Sequence, residues 1–154
     1  MTAERRHRVC FLCTGNSCRS QMAEGWARAL HPHIDACSAG TDPHGLNPLA
    51  VQAMAEAGVD ISRHTSKTID ACDPETLDLV ITVCDSAAEA CPTFRGGARL
   101  MHRGFDDPPR LAAGAASDDD ALPHYRRVRD EIRAFIEMLP QLVAAPAAAP
   151  EARP

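Results

Sequence analysis

The chain has 154 residues, 45% of them hydrophobic and 24% charged, the size and composition of one globular domain able to bury a core. Sixteen Lys and Arg against twenty-one Asp and Glu leave a formal charge of −5, which argues against a dedicated nucleic-acid binder. No apolar run approaches the roughly 20 residues of a membrane span, and the charged start Met1–Arg8 lacks the apolar stretch and cleavage site of a signal peptide, so a cytoplasmic protein is expected.

Arg8 to Leu12 (RVCFL) is apolar on both faces and reads as a buried parallel strand. A Gly- and Ser-containing loop follows, Cys13 to Arg19. From Ser20 the period changes: Met22, Trp26, Ala29 and Leu30 stand at helical spacing, and His31-Pro32 ends that helix. Ile34 to Ala39 reads as a second strand, stopped by Gly40. Asn47-Pro48 joins a cap residue to Pro at the first helical position, and this helix runs to about Ala57 and closes on Gly58. Leu77 to Val83 is the clearest strand, β-branched and apolar. Cys84 to Cys91 leads away from its end, and Pro92 stops any helix there. Arg99 to His102 is a weaker strand. Gly104 to Asp120 reads as loop, with Asp118-Asp119-Asp120 as a solvated helix start. Tyr125 to Leu142 is a helix with Val128, Ile132, Phe135, Ile136, Leu139 and Leu142 on one face. The Ala- and Pro-rich residues 144–154 read as a disordered tail behind a single domain, residues 1–143. Strands alternating with helices predict an α/β fold, three layers with a central, mainly parallel four-stranded sheet flanked by helices.

Seven cysteines, an odd count in a chain expected to be cytoplasmic, argue against a structural disulfide framework and leave metal binding or thiol chemistry. Cys10 and Cys13 make the one Cys-x-x-Cys, but they fall across a strand and its exit, poor geometry for structural zinc. Ligands in parallel α/β sheets sit beyond the carboxyl ends of the strands, so attention falls on the loop after Leu12. In Cys13-Thr14-Gly15-Asn16-Ser17-Cys18-Arg19-Ser20, successive backbone N–H groups can turn inward around a tetrahedral oxyanion, and the following helix adds its positive end. Gly15 is expected to take a backbone angle that other residues resist. Arg19 offers a planar fork to two oxyanion oxygens. Cys13 lies at the bottom of this cradle, where a helix N-terminus and an Arg favour the thiolate, and the Ser20 hydroxyl can steady the sulfur.

The loop resembles that of the low-molecular-weight tyrosine phosphatase superfamily. Cys13 to Gly25 (CTGNSCRSQMAEG) resembles more narrowly the thioredoxin-coupled arsenate reductases built on that phosphatase fold. The resemblance continues at Ser38-Ala39-Gly40, His44 to Pro48, Ile61 to Ser66 and Gly104-Phe105-Asp106-Asp107-Pro108, and ends at Arg127 to Glu131. It implies oxyanion binding by Thr14, Gly15, Asn16, Ser17, Cys18 and Arg19, with Cys13 as nucleophile and Ser20 beside it. It implies that Asp107, directly before Pro108, protonates the departing oxygen. It implies a relay in which Cys84 attacks the sulfur of a Cys13–arsenic adduct and Cys91 then attacks Cys84, leaving a disulfide that thioredoxin reduces. Arsenate is then the substrate, phosphate or sulfate its analogues, and no cofactor is needed.

Phosphate transfer through a cysteine is redox-neutral and needs one thiol, whereas arsenate reduction takes two electrons and ends in a disulfide. The alternative reading is a tyrosine phosphatase using Cys13, Arg19 and Asp107; against it, Asp107 is followed by Pro108, Pro109 and Arg110, where aromatic residues would hold a phenyl ring. A third reading is a non-catalytic oxyanion-binding or redox-sensing module, disfavoured because nucleophile, Arg, acid and both relay cysteines are present. Cys10 and Cys37 read as core, Cys18 as a thiol able to pair with Cys13 under oxidation, and Cys72 has no assignment. No coiled-coil pattern is present, and a monomer is expected. Many members of the resembled family bind potassium beside the loop, through positions matching Asn16, Ser38, Thr65 and an acidic residue two places later. Here that last place is Lys67, the single lysine of the chain, and the expectation is that its ammonium fills the cation site.

Overall fold

The computed structural model describes residues 6–84 and 97–144. Four strands, β1 (Arg8–Cys13), β2 (Asp35–Gly40), β3 (Leu79–Thr82) and β4 (Arg99–His102), form one sheet in the order β2-β1-β3-β4. All three pairings are parallel, as the apolar runs predict. Val9 to Cys13 and Leu79 to Thr82 are buried throughout, because helices and loops cover both faces of a parallel sheet. The register sets Cys13 beside Gly40 and Thr82 beside His102, so the carboxyl ends of the strands share one edge.

Helix α1 (Arg19–Leu30) packs between β1, β2 and the long helix α4 (Asp118–Ile136). Residues 20–27 are buried on every side, while Ala29, expected on the apolar stripe, is exposed. Burial of Met22, Trp26, Ile132 and Ile136 stabilises this layer by about 1.5–3 kcal/mol per side chain. Trp26 Nε1 donates to the Arg129 carbonyl at 3.1 Å, which pairs its one polar atom. Helix α2 (Pro48–Glu56) starts as predicted: Asn47 Oδ1 accepts from the N–H groups of Leu49 and Ala50, and Gly58 turns the chain at φ +88°.

Two helix predictions need correction. The stretch Gly104 to Asp120 is not all loop: Pro108–Leu111 forms a short helix, α3, with Pro at its first position. Helix α4 begins at Asp118, the acidic helix start expected there, and runs on without a break through Tyr125; the Ser117 hydroxyl accepts from Asp120 N at 3.2 Å and three acidic residues fill the positive first turn. Pro123 is tolerated inside it, since the bond it cannot make would end on exposed Asp119. The single helix expected to reach Leu142 instead breaks into α4 and α5 (Leu139–Ala144). Pro140 has no N–H for the Ile136 carbonyl, and His31 Nε2 donates to that oxygen instead at 2.8 Å. Arg99 Nη2 donates to the carbonyls of Leu142 and Val143 at the end of α5, so Ala144 closes a helix rather than opening a tail. Residues 145–154, the rest of the expected tail, lie outside the described residues. Among the described residues no helix is long and apolar enough to cross a membrane.

Candidate active site

Strand β1 delivers Cys13 as its last residue, and α1 begins at Arg19. The carbonyls of the turn between them point outward. The carbonyls of Cys13, Thr14, Gly15 and Ser17 accept from the N–H groups of Thr41, Asp42, His44 and Asn47 at 3.1, 2.8, 2.9 and 2.9 Å. Ser66 Oγ donates to the carbonyls of Gly15 and Asn16, both at 2.9 Å. The peptides are trans among the described residues. In a trans peptide the next N–H points opposite to the carbonyl, so the N–H groups that follow these carbonyls face into the turn. That inward ring, continued by the start of α1, has the form of a concavity in which backbone N–H groups can surround an anion.

Cys13 Sγ lies 2.9 Å from Ser20 Oγ at the base of the ring, with the residue 4% exposed. Ser20 Oγ accepts from Asn16 Nδ2 at 2.8 Å, which leaves its own proton to donate to the sulfur. Arg19 Nη1 donates to the Phe105 carbonyl at 3.0 Å, and Nη2 stands 3.5 Å from Asp107 Oδ1. Arg19 therefore ties the oxyanion turn to the acidic loop. Asp106 is drawn away by Arg127 at 2.9 Å, so of the two adjacent carboxylates it is Asp107 that meets Arg19. Cys84, two residues beyond β3 and 3% exposed, has its Sγ 3.5 Å from Thr14 Oγ1. Arg19, Cys84, His102, Asp107 and Arg110 line one open cleft. Cys91 and the segment Asp85–Ala90 lie outside the described residues.

The special backbone angle belongs to Asn16, not to Gly15. Asn16 sits at φ +47°, in the left-handed region that Asn tolerates because its short polar side chain can bond locally. Gly15 is required for space: a Cβ there would stand 2.9 Å from His44 Nδ1 and 3.3 Å from Ser17 Oγ. Gly40, read from sequence as a strand stop, is a second such position. A Cβ on it would meet the Thr14 carbonyl at 2.6 Å and Asn16 N at 2.9 Å.

The buried polar side chains Asn16, Ser20, Gln21, Glu24 and Ser38 form one network under the turn. Asn16 Nδ2 also donates to Ser38 Oγ (3.0 Å), which donates to Glu24 Oε1 (2.6 Å). Asn16 Oδ1 accepts from Gln21 Nε2 (3.1 Å) and from Lys67 N (2.9 Å). Gln21 Nε2 further donates to the Thr65 carbonyl, and Gln21 Oε1 accepts from His64 Nδ1, both at 2.9 Å. Burial holds the His64 imidazole below its ordinary pKa, partly opposed by the Glu24 carboxylate. Gln21, Glu24 and Ser66 were missed as site residues by sequence reasoning. The available signal was polar residues at i and i+3, Gln21 and Glu24, in a helix otherwise apolar around them.

The Lys67 ammonium donates to the Thr65 carbonyl at 3.2 Å and lies 3.9 Å from Glu24 Oε1. The oxygens expected to hold potassium thus already have protein donors: Asn16 Oδ1 accepts from Lys67 N and Gln21, Ser38 Oγ from Asn16, and the Thr65 carbonyl from Gln21 and Lys67. These residues do not fit a resident potassium ion.

The remaining cysteines divide sharply. Burial pushes the Cys10 thiol up to about 12 and the Cys18 thiol above its usual range, which makes both poor nucleophiles. Cys37 and Cys72 are joined by a disulfide, contrary to the reading of Cys37 as a simple core residue and to the argument from the odd cysteine count. Their partnership crosses 35 residues and becomes visible only when the turn at Ile69–Cys72 packs against β2.

A turn of inward amides between a parallel strand and a helix, closed over a cysteine, defines a cysteine-dependent enzyme fold for tetrahedral oxyanions. A family model described as low molecular weight phosphotyrosine protein phosphatase matches residues 8–146, and the chain belongs to that family. Within it the similarity to arsenate reductases is high. An arsenate reductase of Halalkalibacterium halodurans is 50% identical over 125 residues, 80% of this chain and 88% of that one. A solved structure described as an arsenate reductase in the phosphate binding state matches with a TM-score of 0.71 at 29% identity, over 90% of this chain and 99% of that one. A low molecular weight protein tyrosine phosphatase from T. tengcongensis matches with a TM-score of 0.69 at 26% identity, over 88% and 99%.

Proposed function

We propose that this protein reduces arsenate to arsenite through Cys13, Cys84 and Cys91 in turn, with thioredoxin as electron donor. The observation that carries the reading is a second buried thiol at the oxyanion turn, Cys84, with its Sγ 3.5 Å from Thr14 Oγ1. Ester hydrolysis has no use for it; reduction requires it.

The N–H groups of residues 14–19 and the Arg19 guanidinium hold the oxyanion, and the Cys13 thiolate attacks arsenic(V). Asp107 protonates the oxygen that leaves. Cys84 then attacks Cys13 Sγ. A sulfur–sulfur bond forms, the sulfur–arsenic bond breaks, and its electron pair stays on arsenic, which departs as arsenite, arsenic(III). Cys91 attacks Cys84 and frees Cys13, and a thioredoxin dithiol reduces the Cys84–Cys91 disulfide. Two thiols are oxidised per arsenate and two electrons are accounted for. Lys67 supplies the fixed positive charge beside Glu24 and steadies Asn16 without a metal ion. We further propose a cytoplasmic monomer, one domain that reaches Ala144 rather than ending at residue 143, with residues 145–154 taking no part in the chemistry.

Phosphatase action by Cys13, Arg19 and Asp107 is the competing reading, since the same cradle accepts phosphate. Phe105 on the cleft wall is 8% exposed and packs edge-on against Phe135 at 5.9 Å, so it offers no open face to a phenyl ring. The test is NADPH oxidation in a mixture of protein, thioredoxin, thioredoxin reductase and arsenate, with p-nitrophenyl phosphate hydrolysis in parallel. Arsenate-dependent turnover that Cys84→Ser and Cys91→Ser each abolish, with slow ester hydrolysis surviving, is the expected result. Brisk ester hydrolysis with no arsenate turnover would replace the reading with a phosphatase.

A further inference from the structure

The disulfide between Cys37, on β2, and Cys72, at the end of the Ile69–Cys72 turn, lies outside the relay. Its Cα atoms are 6.2 Å apart, inside the ordinary span of such a bond. Cys72 is 1% exposed, whereas Cys37 is only partly covered. The chain closed by this bond carries the strap that shapes the oxyanion turn. Gly40 N donates to the Lys67 carbonyl at 2.7 Å, Lys67 N donates to Asn16 Oδ1 at 2.9 Å, and Ser66 Oγ donates to the carbonyls of Gly15 and Asn16. The strap is therefore pinned to β2 at Gly40 and again, a few residues on, by sulfur. Asn16, held at φ +47°, depends on those same donors.

We propose that Cys37 and Cys72 are a second redox site, a dithiol–disulfide couple exchanging with a protein dithiol of the thioredoxin class, whose disulfide form fastens the strap and tightens oxyanion binding. In reduction, a thiolate of the partner attacks the Sγ of Cys37, the less buried residue of the two. The Cys37–Cys72 bond breaks and Cys72 leaves as a thiolate that takes up a proton. The partner's second thiol then displaces Cys37 from the mixed disulfide, so two electrons pass from partner to couple. The reverse exchange with the oxidised partner restores the bond. The existence of the couple does not depend on arsenate turnover. Its consequence for substrate rests on the proposed function: arsenate load oxidises the same class of dithiol, drives the couple to its disulfide and holds the turn in its binding shape.

The test uses the full chain carrying Cys84→Ser and Cys91→Ser, which silences the relay. The protein is equilibrated with thioredoxin at stepped ratios of oxidised to reduced form, alkylated, digested without reduction, and the cross-link between the Cys37 and Cys72 peptides is quantified by mass spectrometry. The melting temperature and the Kd for inorganic phosphate are read at both extremes. The cross-link should rise with the oxidised fraction, the melting temperature should rise by roughly 5–15 °C, and phosphate should bind about fivefold tighter or better. Adding Cys37→Ser should remove all three dependences. Two thiols that alkylate fully at every ratio would overturn the proposal, and so would a cross-link that thioredoxin never reduces. An unchanged phosphate Kd across a real redox transition would overturn its link to the turn. The titration itself needs no Cys37 variant, so a folding defect in that variant does not alter what the titration shows. Loss of arsenate turnover in the parent chain would refute the proposed function and leave every one of these readings untouched.

Discussion

The ammonium of Lys67 lies 3.9 Å from the buried carboxylate of Glu24, on the position where related loops are expected to hold potassium. Glu24 is 3% exposed, and its charge is shared among Lys67, the Ser38 hydroxyl and Arg28. A covalently attached cation needs no salt in the buffer. Phosphate affinity and turnover should therefore be equal in potassium and sodium chloride at one ionic strength. Lys67→Met should destabilise the fold by about 1–3 kcal/mol, as expected for one lost partner of a buried charged group. Urea denaturation in the two salts reads both effects. A several-fold gain in affinity on exchanging sodium for potassium would contradict the assignment.

Asn16 combines a left-handed backbone with four side-chain hydrogen bonds, to Ser20, Ser38, Gln21 and Lys67. Two costs add when it is replaced by alanine. The backbone angle costs roughly 1–2 kcal/mol for a residue with a Cβ and no local bond, and each buried partner left unpaired costs about 1–3 kcal/mol. Asn16→Ala should lose stability by several kcal/mol in a denaturant titration and should weaken phosphate binding with it. Asn16→Gly separates the two terms, because glycine accepts the angle and lacks only the side chain. Equal losses in both variants would show that the side-chain bonds, not the angle, shape the turn.

Much of this was legible in the sequence, and the part that was not has a physical reason. Periodicity and caps located β1, β4 and the start of α2, because apolar runs and an Asn-Pro pair act locally. Cys13, Arg19 and Ser20, which the structure brings together at the turn, stand in one contiguous stretch of sequence. The support beneath them did not. Gly40 and Ser66 reach the turn only through tertiary packing, and nothing local to Gly40 reveals that a Cβ would strike the Thr14 carbonyl at 2.6 Å; Lys67 was placed beside the loop by the resemblance, not by any local signal. The bond between Cys37 and Cys72 is hidden in the same way. The break before α5 was readable in principle: Pro140 marks it, but the unbroken apolar face of Ile132, Ile136 and Leu139 masked the missing N–H.

His64 couples the support network to pH. Its imidazole sits beneath the turn with Nδ1 donating to Gln21 Oε1 at 2.9 Å, and burial lowers its pKa below the ordinary 6.5. A histidine whose pKa is depressed in the folded state binds fewer protons there than in the unfolded chain, so stability rises with pH where the unfolded histidine is partly protonated. This contribution is complete above about pH 6.5 and is lost as pH falls through the unfolded value toward the lower folded one. The melting temperature should therefore decline from pH 7 to pH 5.5, and His64→Asn should flatten that decline. A slope identical in the two proteins would assign the acid sensitivity elsewhere.

The acid loop allows a comparison between adjacent carboxylates. Asp107 Oδ1 stands 3.5 Å from the Arg19 guanidinium on the cleft wall, and Asp106 is committed to Arg127 at 2.9 Å on the exposed side. A general acid must reach the departing oxygen, which on the proposed function lies beside Arg19, so Asp107 is the carboxylate expected to act. Asp107→Asn removes the proton while keeping the shape, and turnover of arsenate should fall by roughly 10²–10⁴-fold, with binding of phosphate nearly unchanged. Asp106→Asn exchanges a surface ion pair for a hydrogen bond and should move stability by less than about 1 kcal/mol and turnover little. The two variants, compared by steady-state kinetics on arsenate and on p-nitrophenyl phosphate, separate a proton donor from a structural tether. If Asp106→Asn proved the slower enzyme, the loop would have to rotate during the reaction, exchanging which carboxylate faces Arg19.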